Sequence, residues 1–257
     1  MDGMDDIYSH ICCIDISGMA IRDSVVPSPG KKFVFFDWSA AELYLIALMA
    51  NCTDLLDLYH RKEDLHSFIA SEILNKPNIT KEDREVSKVV VFATTYGSEG
   101  AAVGTALQIS TDEGAAYVQK FLNRFSEIRK LQNDIFKYAA KTGYTKTPYG
   151  RYRKLPLLHS QVKKEAAKGQ RQAFNTAVQG GVADYMKMAA IKLSAHRDIG
   201  VNYVLGVFDS FLLEVPVEMT RSEYIKIARE ASDLGDIEFN FKIGEGMTWK
   251  EAADDAS

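Results

Sequence analysis

Phe33 to Phe36 form a short apolar run of aromatic and β-branched residues, entered through Pro27-Ser-Pro-Gly30, and this pattern predicts a buried strand. After Ser39 the period changes, and Leu43, Ile46, Ala47 and Ala50 recur at helical spacing. The switch puts Asp37 where a buried strand ends and Glu42 in the first turn of a helix. A carboxylate at a strand end, rimmed by apolar residues, suits a hard cation such as Mg²⁺. The plainer alternative makes Asp37 and Ser39 the start of the helix, as an N-cap would be. Asn51 to Asp54 stops that helix and starts another. Asp64 to Ala70 predicts a further helix, with His66 either on its surface, the simpler place, or in a contact.

Pro77 to Thr80 is a break, and Thr80-Lys-Glu-Asp83 has the spacing of a capping box. On the helix that follows, Arg84, Lys88, Phe92 and Tyr96 stand four residues apart and form one slowly drifting stripe. Cations begin it and aromatics end it. Such a stripe is either a salt-bridged surface running into a core face, or a place that holds a triphosphate at one end and stacks a base at the other. Gly97 and Gly100 are expected to end the helix. Thr111 to Gly143 reads as continuous helix, Thr147 to Pro156 as a hairpin connection, and Gln161 to Lys192 as one or two helices broken near Gly180-Gly181. In the last of these Arg171, Asn175 and Gln179 give a polar stripe, either a buried network between helices or donors suited to the DNA minor groove. Tyr203 to Pro216 predicts a β-hairpin with Asp209-Ser210 as its two-residue turn. Ser222 to Leu234 predicts a helix, Ile237 to Ile243 a strand, and the rest a polar tail. Residues 1–20 lack periodicity.

Composition adds little: 46% hydrophobic and 26% charged residues are ordinary for a globular chain, and the net charge is −4. Distribution adds more. From Lys120 to Arg171 cations dominate, opposed only by Glu127, Asp134 and Glu165, as on a solvated basic face or a polyanion-binding surface. Three cysteines form neither a disulfide framework nor a zinc pattern, and no run approaches a membrane span, so a reducing, cytoplasmic setting is expected.

Four stretches, in this order, resemble family A DNA polymerases of the bacterial DNA polymerase I type. Asp37-Trp-Ser-Ala-Ala-Glu42 is similar to the family's first catalytic motif. Arg84-x3-Lys88-x3-Phe92-x3-Tyr96-Gly97 resembles the helix that receives the incoming nucleotide. Arg171-x3-Asn175-x3-Gln179-Gly180 is similar to the segment touching the minor groove, and Val207-Phe-Asp-Ser210 to the last motif, usually His-Asp-Glu. The likeness runs from about Ile21 to near Trp249.

The resemblance implies an α+β fold: an antiparallel palm sheet flanked by helices, with an inserted, mostly helical fingers subdomain. A lead-in at 1–20 precedes palm at 21–54, fingers at 55–160 and palm again at 161–257, and the thumb and exonuclease domains are expected to be absent. It implies Asp37 and Asp209 as ligands of two Mg²⁺ ions and, with Lys88, as the catalytic set. Arg84, Lys88 and His66 would meet the triphosphate of a dNTP, Phe92 and Tyr96 the sugar and nascent pair, and Glu42 would exclude a ribose 2′-hydroxyl. Arg151, Arg171, Asn175 and Gln179 would touch primer-template DNA. Phe208 and Ser210 depart from the family by replacing its His and Glu. With no thumb, poor processivity is expected, or a separate chain supplying thumb or exonuclease functions. A phage-encoded source stays open.

Two alternatives accompany this reading. One is a relative of single-subunit phage-type RNA polymerases, which Tyr96-Gly97-Ser98 and the Asp209-Ser210 tip also suit and Glu42 opposes. The other is a non-catalytic DNA-binding remnant, which the retention of both aspartates, Arg84 and Lys88 opposes.

Overall fold

The computed structural model describes residues 15–16, 19–95 and 100–256. In chain order the elements are β1 (Asp15–Ile16), β2 (Met19–Ala20), α1 (Ile21–Ser24), β3 (Lys31–Trp38), α2 (Ala41–Ala50), α3 (Thr53–His60), α4 (Leu65–Leu74) and α5 (Lys81–Thr95). Next come α6 (Gly100–Leu107), α7 (Thr111–Arg124), α8 (Ser126–Thr142), β4 (Tyr144–Lys146), β5 (Tyr152–Lys154) and α9 (Lys163–Ser194). β6 (Asn202–Val207), β7 (Ser210–Pro216), α10 (Arg221–Ser232), β8 (Phe241–Gly246) and α11 (Trp249–Asp255) complete the fold. It is of the α+β type, an antiparallel sheet with flanking helices. The chain separates into two compact units, one up to Ser39 and from Tyr185 onward, the other from Ala40 to Asp184. No helix among the described residues is long and apolar enough to cross a membrane.

The first unit is built on a four-stranded sheet of order β6-β7-β3-β8, every pair antiparallel. β3 lies inside it and is covered on both faces, which is why Phe33 to Phe36 are apolar without alternation. Phe33 and Phe35 pack with Leu212, Ala252 and Ala256. Toward the opposite face Phe36 stacks on Phe211 at 4.6 Å and Trp38 on Phe239 at 4.1 Å. The Trp38 indole N–H also donates to Ser232 Oγ at 2.8 Å, satisfying the one polar atom that a buried tryptophan brings inside.

The expected polar tail instead contains α11, whose buried residue Ala252, with Ala256 at the helix end, is too small to announce an amphipathic face. They reach the sheet because β8 offers glycines beneath them. A Cβ on Gly246 would come within 2.5 Å of Ala252 N, and one on Gly244 would strike Ala256 N and Ala252 O. Gly244→Ala should therefore lift α11 off the sheet and destabilise by roughly 1–3 kcal/mol, as overpacking does. A midpoint unchanged in urea unfolding would contradict that contact. The strand expected at Ile237 to Ile243 begins later, at Phe241, because Ile237 and Phe239 are drawn into the core beside the Asp233–Glu238 bridge.

Among its described residues the second unit has helices and the β4–β5 hairpin as its regular elements. Asn51 in the left-handed region ends α2, and Thr80 and Asp83 form the expected reciprocal bonds, at 3.1 and 3.2 Å. Thr111 to Gly143 is two helices, broken at Phe125 (φ −113°, ψ 67°), whose ring is fully buried. The glycine at position 100 opens α6 rather than closing α5, and Gly97 lies outside the described residues. Helix α9 runs through Gly180-Gly181 without a break. A Cβ on Gly181 would come 2.7 Å from Leu45 Cδ2, and one on Gly180 would come 3.0 Å from Arg151 and Thr147, so this pair serves close approach of α2 and the hairpin and not a kink.

Candidate active site

The site residues of the first unit gather at one end of its sheet. Asp37 pairs with Ser210 across β3–β7 and with Lys242 across β3–β8. The Trp38 N–H donates to the Asp209 carbonyl at 3.0 Å, so Asp209 stands at the adjoining strand end. The two aspartates, far apart in sequence, are thus brought side by side by strand register. Neither caps a helix: the N-cap of α2 is Ala40, at φ 50° and with no side-chain cap bond, so the alternative that Asp37 and Ser39 start the helix is overturned. The β-hairpin turn is Phe208-Asp209, one residue earlier than expected, because Val207 pairs with Ser210 and Ser210 Oγ donates to the Val207 carbonyl at 2.7 Å. Phe208 takes φ 57° and is 69% exposed, an uncommon state for an aromatic residue.

Both carboxyls are half-buried, and their electrostatics follow. Burial, and after it the charge of Asp209, pushes the Asp37 carboxyl from its ordinary 3.8 up to about 7, against the pull of Lys242 and Arg22. Burial likewise raises Asp209, against a backbone hydrogen bond. Two desolvated carboxylates that repel one another favour either a proton or a cation between them. Among the described residues there is no group of three or more His, Cys, Asp or Glu placed for a metal. Mg²⁺ needs no such cage, since it is commonly held by one or two carboxylates together with substrate phosphates. The donor set fits that ion.

In the second unit the expected nucleotide residues form another cluster. Asp64 caps α4 by accepting the His66 N–H at 3.1 Å, and the same carboxylate receives the Arg84 guanidinium at 2.5 and 3.3 Å. His66 is buried rather than at the surface, and its Nδ1 lies 3.3 Å from Ser87 Oγ. Burial, and then the Arg84 charge, lowers the His66 pKa from 6.5 to about 4, so the imidazole is neutral near pH 7. Lys88 pairs with Glu85 at 2.6 Å. Phe92 is 44% exposed, while Ser87, Val90 and Val91 face inward, so the stripe stays out of the core as far as Phe92. Tyr96 lies outside the described residues.

Of the polar stripe on α9, Gln179 Nε2 donates to Glu42 Oε1 at 3.2 Å, and Arg171 and Asn175 are half-buried. The Asn175 amide oxygen is buried with no hydrogen-bond partner among the described residues. Arg151 donates to Asp184 at 2.8 Å and to the Gly180 carbonyl at 2.9 Å, which braces the hairpin against α9. Elsewhere in the basic stretch Arg124 is committed to Asp54 and Glu72, so not every cation there is available to a ligand. Sequence reasoning missed Asp64, Ser87 and Lys242 as partners of the site residues. Only Asp64 carried a signal, as an N-cap ahead of an apolar helix.

Residues 10–251 match the sequence model of DNA polymerase family A. The chain is 30% identical over 241 residues to the thermostable DNA polymerase I of Thermus thermophilus, covering 91% of this chain and 29% of that protein. It is 31% identical over 249 residues to DNA polymerase I of Mycobacterium leprae, covering 92% of this chain and 27% of that protein. Among solved structures it is similar to the polymerase domain of Pol1 from M. smegmatis, in complex with DNA primer-template and dNTP. That match has a TM-score of 0.86 at 30% identity and covers 94% of this chain and 44% of that one. The chain belongs to DNA polymerase family A. It spans under a third of the length of these curated relatives.

Proposed function

We propose that the chain carries the nucleotidyl-transfer centre of a template-directed DNA polymerase, adding dNMP from dNTP to a primer 3′-hydroxyl and releasing pyrophosphate. The observation that carries this reading is the adjacency of Asp37 and Asp209 at neighbouring strand ends, with both carboxyls raised by burial. Asp37 and Asp209 would hold two Mg²⁺ ions, which when bound supply an activated 3′-oxygen and neutralise the phosphates and the leaving group. Arg84 and Lys88 would bind the triphosphate, exchanging Asp64 and Glu85 for phosphate oxygens. His66, neutral near pH 7, would meet the phosphates through an uncharged ring. Phe92 and Tyr96 would flank the nascent pair and Glu42 the sugar. Arg151, Arg171, Asn175 and Gln179 would contact primer-template DNA through phosphates and minor-groove acceptors. Palm at 21–54 and 161–257 and fingers at 55–160 are the division this reading assigns. The solved relative bound to primer-template and dNTP supports the choice of partners.

Extension of a labelled primer on a mixed-sequence template, with Mg²⁺ and dNTPs, tests the reading directly. Extension should depend on the metal and follow the template base, and DNA binding should weaken steeply as salt rises, with little sequence preference. A folded, DNA-bound chain that adds no nucleotide with any divalent ion would leave the non-catalytic alternative in its place.

A further inference from the structure

The β4–β5 hairpin presents a face that the proposed chemistry does not use. Its register pairs Tyr144 with Lys154 and Lys146 with Tyr152, and these four alternate with Thr145 and Arg153 along the strands. Thr145 is buried and donates to the Ala173 carbonyl at 3.0 Å, while Arg153 donates to Thr176 Oγ1 at 3.0 Å. The inner face is therefore fixed to α9, and the outer face is a checkerboard of two rings and two ammonium groups. The rings of Tyr144 and Tyr152 stand 6.5 Å apart at 90°, on one diagonal, and Tyr152 is 63% exposed. Beside them Lys146 Nζ lies 5.8 Å from the exposed Tyr138 ring.

Charge singles out this face as well. From Ile135 to Lys164 the chain has no Asp or Glu and eight Lys and Arg residues. Among the described residues Lys146 and Lys154 form no ion pair, in contrast to Arg124 with its two carboxylates. A surface that only held duplex phosphates would need cations and no exposed rings, because paired bases keep their faces stacked inside. A protein-binding surface would be poor in lysine. Exposed aromatics set among unneutralised cations match what single strands require, base faces to stack and phosphates to neutralise.

We infer that the outer face of the β4–β5 hairpin is a binding platform for single-stranded DNA, with Tyr144 and Tyr152 stacking bases and Lys146 and Lys154 taking the phosphates between them. That the strand is the unpaired template rests on the polymerase reading; the affinity for single strands does not.

The test is anisotropy of a labelled mixed-sequence oligonucleotide titrated with the whole chain over a range of salt, alongside a blunt duplex of equal length. The double variant Tyr144→Ala/Tyr152→Ala should lose on the order of tenfold in single-strand affinity per ring, with the salt slope kept. Lys146→Gln/Lys154→Gln should flatten that slope by about 1.4, two phosphate contacts' worth for a single strand. Binding of the blunt duplex should change little in either. Tyr152→Phe should restore affinity and Tyr152→Leu should not, which separates stacking from a structural role in the hairpin. Wild-type affinity in the tyrosine variants, or an equal loss on the blunt duplex, would overturn the inference. A chain that binds single strands in this pattern yet extends no primer would support the platform and sink the polymerase reading instead.

Discussion

Replacing Asp209 by Ala, or Asp37 by Asn, should cut primer extension by on the order of a thousandfold, the scale of losing several kcal/mol of charge stabilisation. Both variants should remain folded, because the strand end is held by Trp38 on Phe239 and Phe36 on Phe211 and not by the carboxylates. The same changes should alter stability with a definite sign. Asp37 titrates near 7 in the fold against 3.8 ordinarily, so between about pH 4 and 7 the folded chain retains a proton that the unfolded chain has released. Stability without metal must fall as pH rises through that window, and it stays at its lower level above it. Asp37→Asn removes the penalty and should be more stable than the wild type at pH 8 in chelator, by at most a few kcal/mol. Added Mg²⁺ should stabilise the wild type and leave the variant nearly unchanged, since a ligand stabilises only the state that binds it. Thermal unfolding at pH 5 and pH 8, with and without metal, reads all of these. A variant less stable than the wild type at pH 8 in chelator would mean that Asp37 serves packing or the Lys242 pair more than a cation.

What could be read from the chain was local. The change of period after Ser39, the reciprocal Thr80–Asp83 cap and the hairpin around Asp209 each depend on residues a few positions apart, and each is found within a residue or two. Features set by distant partners were hidden. Helix α11 buries Ala252 and, at its C-cap, Ala256, which look neutral in sequence, and the helix lies close only because Gly244 and Gly246 make room. His66 sits on a short helix whose polar neighbours suggest solvent, yet α5 brings Ser87 against it. Gly180-Gly181 reads as a break until Leu45 is seen filling the space beside Gly181, and Arg151 and Thr147 the space beside Gly180. For the site, the motif spacings name Asp37 and Asp209, but only the β3–β7 register makes them neighbours, and burial, joined at Asp37 by the charge of Asp209, raises their affinity for protons.

Glu42→Ala should lower the preference for dNTPs over rNTPs by on the order of ten- to hundredfold. Glu42 lies in the first turn of α2, the helix that follows the strand carrying Asp37, and Gln179 holds its Oε1 at 3.2 Å. A carboxylate fixed from one side has lost the rotamer freedom that would let it swing away from an added group. In the proposed site a deoxyribose leaves it undisturbed, whereas a 2′-hydroxyl must push into it. Overpacking a fitted site by one small group costs roughly 1–3 kcal/mol, and about 1.4 kcal/mol is a factor of ten in rate. Gln179→Ala keeps the carboxylate but removes this hydrogen bond, so it should fall between wild type and Glu42→Ala in sugar choice. Single-nucleotide extension with matched dNTP and rNTP gives the ratio for all three proteins. A wild type that prefers rNTPs would transfer the chain to the RNA polymerase alternative. A wild type that prefers dNTPs, with Glu42→Ala unchanged, would keep the polymerase and move the sugar gate elsewhere. If Glu42→Ala relaxes the choice and Gln179→Ala does not, the gate acts by the bulk and charge of Glu42 alone, and the hydrogen bond from α9 serves the packing of the second unit.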